Sequence, residues 1–394
     1  MEVLHEVVER LAPMRRRACT DGEREAADWL AERFRRVPGV EVSVEDEPSW
    51  GTFPPTATGL GVLGLTAGAL ALGRRRGAAA LLAAATIAGV VDEAQNGPRV
   101  LRRLIRRRRT TQNVLARVPA EGASAGTLVV LAHHDAPQTG LIFDQTMQQK
   151  VYARKPELIE AHKTPPPQWW LGLAGPVLTL ATALTGRRTP ARVGLAIGSV
   201  ATFFIADMWR SETVQGANDN LSGVASLVAL AEQLAAEPVP GLEVLLVSCG
   251  AEETLQDGIR AFMASHGQEL DRERTWFVNL DTVGSAKLVL LEAEGPVWME
   301  EYAGPWIRDL VEDSAERVGV PFERGYRARA STDSIIPSRA GYPIATIVSL
   351  QPWRSPANYH LASDTPEKLD YDTVAGAVRL VAEVARSLAA RTPA

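Results

Sequence analysis

The chain has 394 residues, 46% hydrophobic and 23% charged, which suits an ordered fold of more than one unit and excludes a disordered chain. Its net charge of −5, with acids and bases intermixed, excludes an overall nucleic-acid-binding surface. Only Cys19 and Cys249 are present, so there is no disulfide framework, and a reducing compartment is expected.

The opening MEVLHEVVERLAPMRRR does not read as a signal peptide, because acids and arginines interrupt it before an apolar stretch forms. Residues 2–12 and 21–36 read as amphipathic helices. In the second, Ala26, Leu30 and Phe34 are four apart, and Thr20 or Asp21 can cap the start. VEVSVE (40–45) alternates as a strand does. SWGTFPPT (49–56) then breaks the chain. Ala57–Gly73 and Gly77–Val91 carry no charge and flank Arg74–Arg76, and Arg99–Arg109 follows with seven arginines.

A second block repeats this plan. Pro165–Pro167 breaks the chain, Trp169–Gly186 is uncharged, and a basic loop, Arg187–Arg192, leads to Val193–Ala206. Two apolar helical hairpins with Arg-rich tips form the internal repeat. Each run is short against the roughly 20 residues a bilayer needs. Trp50, Trp169, Trp170 and Trp209 lie near the run ends, as in an interfacial aromatic belt. The spacings Gly64/Gly68 and Gly194/Gly198 allow close helix contact. Membrane helices are the expectation; the alternative is a soluble subdomain of buried Ala-rich helices.

An α/β pattern surrounds the hairpins. Strands are expected at 113–118, 127–132, 243–248, 276–280, 287–293 and 343–350. Helices are expected at about 221–236, 254–266 and 303–318, with a closing helix carrying Val374, Val378, Val381, Ala385 and Leu388. Alternating strands and helices imply an open α/β sheet. The division is one catalytic domain interrupted twice: 1–56, 111–136 and 214–394 belong to it, 57–110 is the first hairpin with its Arg-rich segment, and 137–213 is the second hairpin block.

Within that domain, five places end a strand or loop on a histidine or an acid. They are LVVLAHHD, GANDNLSG (216–223), VLLVSCGAEE, WFVNLD and ANYH. In open α/β sheets, sites form beyond the carboxyl ends of strands. Asp219 alone reads as an acid at a helix start, with Asn220 or Ser222 as the cap. His133-x-Asp135 alone is a weak pattern, and Glu252–Glu253 is weaker, as an ordinary solvated face. His134 points away from His133 and reads as packing or as a support behind the site. His5, His162 and His266 read as surface residues. Jointly, and in this order, the five places point to one metal centre. In His133-x-Asp135 the acid can accept the second imidazole N–H and fix the tautomer. Of two adjacent glutamates, one can ligate while the other is left as a base. If Asp219, Glu253 and Asp281 bind with His133 and His360, three carboxylates face two divalent cations, and one bridging hydroxide brings the formal charge to zero. A paired zinc centre is therefore expected.

With AHHD (132–135), GANDN-x-SG (216–223), AEE (251–253), NLDTVG (279–284), STDS (331–334) and YH-xxx-DT (359–365), the chain resembles the M28 family of zinc peptidases, of the aminopeptidase Y/Streptomyces aminopeptidase type. The resemblance implies a phosphorylase/hydrolase-like three-layer α/β sandwich with a mostly parallel central sheet and two zinc ions. Asp219 would bridge the ions, and His133, Glu253, Asp281 and His360 would complete the ligands. Glu252 would be the general base, Asp135 would orient His133, and Tyr359 would steady the oxyanion. The implied substrate is a peptide with a free N-terminus. The family runs from HxD to GANDN in a short loop, whereas here the second hairpin block intervenes, at the rim of the site.

The catalytic-side flanks hold more lysines and arginines than the hairpin tips, so the catalytic domain is expected on the cytoplasmic face. Two rivals stand beside the aminopeptidase: a glutaminyl-cyclase-like acyl transfer enzyme with a single zinc, and a catalytically inactive membrane receptor or scaffold. A homo-oligomer is left open.

Overall fold

The structure, a computed structural model, describes residues 1–391; the last three positions of the 214–394 segment lie outside them. Nine strands form one sheet: β1 (Glu41–Ser49), β2 (Arg109–Val118), β3 (Glu121–His133), β4 (Pro240–Cys249), β5 (Thr275–Leu280), β6 (Lys287–Glu294), β7 (Glu300–Glu301), β8 (Phe322–Ala328) and β9 (Ile344–Leu350). Their order is β1-β2-β4-β3-β5-β9-β6-β7, with β8 also on β6. The four central strands, β4-β3-β5-β9, are parallel. β1 and β2 add antiparallel on one flank, and β6 pairs antiparallel with β9 on the other.

The central strands are apolar on both faces because both are covered. In β3, Leu128, Val130 and Ala132 enter one core with the helices Glu2–Leu11, Ser222–Ala236 and Tyr371–Arg391. Val129 and Leu131 enter the other, against Ile259 and Phe262 of the helix Asp257–His266. This gives the three-layer sandwich. All seven expected strands are present. β7 and β8 were not expected. β7 has two residues, and FERGYRA in β8 has no apolar alternation because it is a half-buried edge strand.

Both hairpins form. The first is Pro54–Leu72 and Arg76–Ala94; the second is Trp170–Thr185 and Thr189–Arg210. Three of these helices are long and apolar enough to cross a membrane, with Trp170–Thr185 shorter at 16 residues. The four close into a ring: Pro54–Leu72 packs on Arg76–Ala94 and Thr189–Arg210, and Trp170–Thr185 packs on the same two. The glycines set the approach. A Cβ on Gly194 would stand 2.8 Å from the carbonyl oxygen of Gly175, so a side chain there would force the second hairpin apart. The two Arg-rich tips meet, with Gly186, at φ +77°, against the guanidinium of Arg76. The outer face is apolar: Leu81 is 71% and Leu184 77% exposed.

The second insertion leaves and returns at one point. Val214 N–H donates to Pro137 O and Thr139 N–H to Glu212 O, both at 3.0 Å. The first is tied down by the buried ion pair of Arg99 with Asp257, while Arg102 pairs with Glu93 inside the insertion. Arg102 also donates to Thr254 O, one residue beyond Glu253. Two of the seven arginines in Arg99–Arg109 are thus neutralised inside the protein and offer nothing to a membrane surface.

Candidate metal centre

The parallel strands β4, β3, β5 and β9 deliver their carboxyl ends to one crevice, and the expected site residues other than Asp219 lie on or beyond those ends. His133 closes β3, level with Cys249 at the end of β4. Glu252 and Glu253 follow β4 in a short 3-10 turn, Asp281 follows β5, and His360 lies in the loop after β9. Asp219 sits in the irregular turn Ala217–Leu221, ahead of the helix Ser222–Ala236.

The carboxylate of Asp219 lies between the two histidines. Its Oδ1 is 3.3 Å from His133 Nε2, and its Oδ2 is 3.1 Å from His360 Nε2. His360 Nε2 is also 3.6 Å from Glu253 Oε1. Ligand atoms of His133, Asp219 and Glu253 all lie within 4.8 Å of one another. The other nitrogen of His133, Nδ1, is 3.3 Å from Asp135 Oδ1. Asp135 also accepts the backbone N–H groups of Glu252 and Glu253, each at 3.0 Å. It therefore holds the acid pair as well as facing the imidazole.

Charge is concentrated here and shielded from water. Burial would lower His133, but Asp135 and Asp219 outweigh it and hold the imidazole well above its usual range. Burial would raise Asp219, but hydrogen bonds from His133 and His360 hold it below the carboxylate range. Burial raises Glu253, with Asp219 and Glu252 adding to it. Burial also raises Glu252, with Asp333 and Asp281 acting in the same direction. Asp281 is pushed up to about 7, by burial and then by Asp219, against the opposing pull of His133. Acids this crowded and dry are short of positive charge. Both carboxylate oxygens of Asp333, buried beside them, have no hydrogen-bond partner. Such a donor set, with imidazole and carboxylate together, fits divalent zinc.

Tyr359 lines the same crevice with its ring 4.0 Å from that of His360, and burial followed by Asp219 and Glu253 raises its hydroxyl. Glu252 Oε1 accepts from Gln256 Nε2 at 2.6 Å, and the same Nε2 donates to Ser331 O at 3.0 Å. His134 turns away, as expected: its Nδ1 is 3.0 Å from Ser248 Oγ, and burial keeps it neutral, down at about 4. His266 is not a free surface group, since its Nε2 is 2.9 Å from Glu45 Oε2. His5 stacks on Tyr371 at 3.7 Å.

Sequence reasoning gave no role to four residues that support the site. Asp364 accepts the N–H groups of Asn218 at 2.8 Å and Asp219 at 3.1 Å, so it shapes the turn that carries Asp219. Its place in YH-xxx-DT was the available signal. Arg16, fully buried, donates to His134 O at 2.9 Å and Gln215 O at 2.7 Å, joining the two segments that flank the second insertion. Nothing in MRRR distinguishes it from its neighbours. Asp333 faces the centre from STDS, where burial pushes it up to about 7, and Gln256 acts through its contact with Glu252.

Residues 199–385 match peptidase family M28. No curated protein sequence matches the chain. Solved structures share its fold. LapB from Legionella pneumophila has 11% identity and a TM-score of 0.56, over 98% of this chain and 71% of that one. An aminopeptidase from Aneurinibacillus sp. strain AM-1 has 13% identity and a TM-score of 0.54, over 97% and 92%. A glutaminyl cyclase from an Acidobacteriales bacterium has 13% identity and a TM-score of 0.55, over 99% and 94%.

Proposed function

We propose, from the match of residues 199–385 to peptidase family M28, that the protein is a zinc-dependent, membrane-anchored aminopeptidase that hydrolyses the first peptide bond of a substrate with a free N-terminus. The observation that carries this reading is the Asp219 carboxylate, one oxygen facing His133 and the other His360. A bridging ligand needs that arrangement. One ion would lie with Asp219, Glu253 and His360, and a second with Asp219, His133 and Asp281.

Zinc bound there would supply Lewis acidity, polarising the scissile carbonyl and lowering the pKa of water. The protein's own groups do the rest. Glu252, steadied by Gln256, takes the proton of the attacking water and returns it to the leaving amine. Asp135 keeps His133 in one orientation and the Glu252–Glu253 turn in place. The Tyr359 hydroxyl donates to the oxygen that gains charge. The surrounding carboxylates hold the substrate's α-ammonium group, which selects the chain end.

Membrane anchorage is supported by the three long apolar helices and by the apolar outer face of their bundle. The residual excess of basic side chains on its flanks favours the cytoplasmic face for the catalytic domain. In sealed right-side-out vesicles an N-terminal tag stays protected from added protease; digestion from outside overturns this orientation.

The catalytic assignment is tested with purified protein, zinc and leucyl anilides. Glu252→Gln lowers kcat by about 10²–10⁴-fold, the range of general acid–base catalysis. Turnover equal to wild type would remove Glu252 as the base.

A further inference from the structure

The crevice that holds the acids does not end at the catalytic domain. One continuous cavity of about 210 Å³ runs from Glu252, Glu253 and His360, past Phe143, into the space between the four inserted helices. Phe143 marks the junction, with its ring 4.3 Å from that of His360. Beyond it the lining includes Gly64, Leu65, Gly175, Gly198, Phe204 and Ile205. The glycines leave a slot in an otherwise packed bundle. The cavity is therefore charged and hydrogen-bonding at one end and apolar at the other.

The apolar end offers a ligand almost no hydrogen bonds. The two threonine hydroxyls in its wall are already committed, Thr86 Oγ1 donating to Leu82 O at 2.8 Å and Thr202 Oγ1 to Gly198 O at 2.7 Å. A peptide segment lying there would bury one N–H and one C=O per residue without partners, which is costly. A hydrocarbon chain has no such groups, and every methylene it buries gains from leaving water. A cavity with walls of this kind tends to stay dry until something apolar fills it.

We propose that the substrate is a single-chain amphiphile: a polar amide head reaches the acids while one unbranched hydrocarbon tail lies between the inserted helices. This rests on the hydrolase reading above and names its substrate class. The chemistry is balanced by water alone. The water oxygen bonds to the carbonyl carbon, the C–N bond breaks, and the products are a carboxylic acid and an amine. The tail belongs either to the leaving amine or to the acyl side, and the assay separates the two.

Two series are compared in lipid nanodiscs with zinc, below micelle-forming concentrations: leucyl alkylamides and N-acyl leucines, each with tails of two to twelve carbons. In one series kcat/KM rises at least tenfold with tail length. Gly172→Leu abolishes that rise. Gly172 lines the cavity, and a Cβ there meets nothing nearer than Val90 at 3.9 Å, so the new side chain fills the slot without forcing the helices apart. Gly59→Leu, at an exposed position with open space around it, keeps the rise. A gain in the acyl series alone supports the tail site and overturns the requirement for a free α-amine. Flat profiles in both series, with leucyl anilide turned over normally, overturn the tail site while the hydrolase stands. If no amide is cleaved, the hydrolase reading fails. Equilibrium binding of radiolabelled dodecanoyl-leucine then decides: saturable binding lost in Gly172→Leu supports the tail site, and no binding overturns it.

Discussion

Asp135 accepts the backbone N–H of Glu252 at 3.0 Å, although 117 positions separate them in the chain. The end of β3 and the turn after β4 are thus joined by one carboxylate that also faces His133. Asp135→Asn replaces one acceptor oxygen with a donor that would face an N–H group, whereas Asp135→Glu retains the charge at the wrong reach. Zinc affinity in Asp135→Asn falls by about 10–100-fold, the usual cost of losing a partner of a metal-ligating histidine. Titration with a competing chelator measures it. A loss of kcat/KM with zinc affinity intact would show that Asp135 acts only on the Glu252–Glu253 turn.

Metal content separates the rival readings of the site. Wild-type protein, reconstituted and desalted, carries two zinc ions per chain by elemental analysis. Asp219→Asn removes both, because each carboxylate oxygen faces a different histidine. His360→Ala leaves one. Chelation abolishes turnover and added zinc restores it. One ion per chain in the wild type would favour the single-zinc acyl transfer enzyme, and none would favour the inactive scaffold.

How far the site could be read from sequence depended on the kind of contact involved. His133, Glu252, Glu253 and Asp281 were legible because they follow apolar runs of strand length, and parallel strands deliver such positions to one edge. His360 and Asp219 were legible only through their motifs, since both sit in irregular backbone: His360 at φ +54°, Asp219 in a turn that no periodicity marks. Arg16 and Asp364 act through backbone N–H and C=O groups of remote segments, and side-chain pattern carries no trace of such bonds. The hairpins were plain from charge-free runs. That their interior opens onto the acids was not, because a shared cavity arises from packing between segments far apart in the chain.

Glu294, which is not itself a proposed ligand, provides a test of pH dependence. It is fully buried, and Tyr302 Oη at 2.7 Å and Thr332 Oγ1 at 2.9 Å donate to its Oε2, while Oε1 has no partner. Burial outweighs those bonds and pushes its carboxyl up to about 8, from 4.5 in the unfolded chain. The folded state therefore binds a proton more tightly than the unfolded state. Its stabilising effect is full below about pH 4.5, is lost as pH rises towards 8, and changes little above that. Glu294→Gln removes this slope. Denaturant midpoints at pH 5, 6.5 and 8.5 show a smaller fall in the variant than in wild type; parallel curves would mean that Glu294 is charged throughout.

The first hairpin depends on the buried pair between Arg99 and Asp257 for its attachment to the catalytic domain. Burial pulls Arg99 down to about 9 despite the nearby carboxylate, so the guanidinium tolerates this position poorly without its partner. Asp257 also accepts Ser49 Oγ at 2.7 Å and Trp50 N–H at 3.3 Å, which fixes the segment entering the hairpin. Asp257→Asn leaves the arginine charge buried and uncompensated, a change that costs about 3–5 kcal/mol in comparable buried pairs. The same ties position Arg102, which donates to the carbonyl of Thr254 beside the acid pair. The variant is therefore expected to melt earlier, to be cut by protease between residues 96 and 109, and to lose turnover. Glu32→Gln, which removes the exposed partner of Arg35, serves as the control and leaves the melting temperature nearly unchanged. Equal melting of Asp257→Asn and wild type would show that the hairpin is held by its apolar contacts alone.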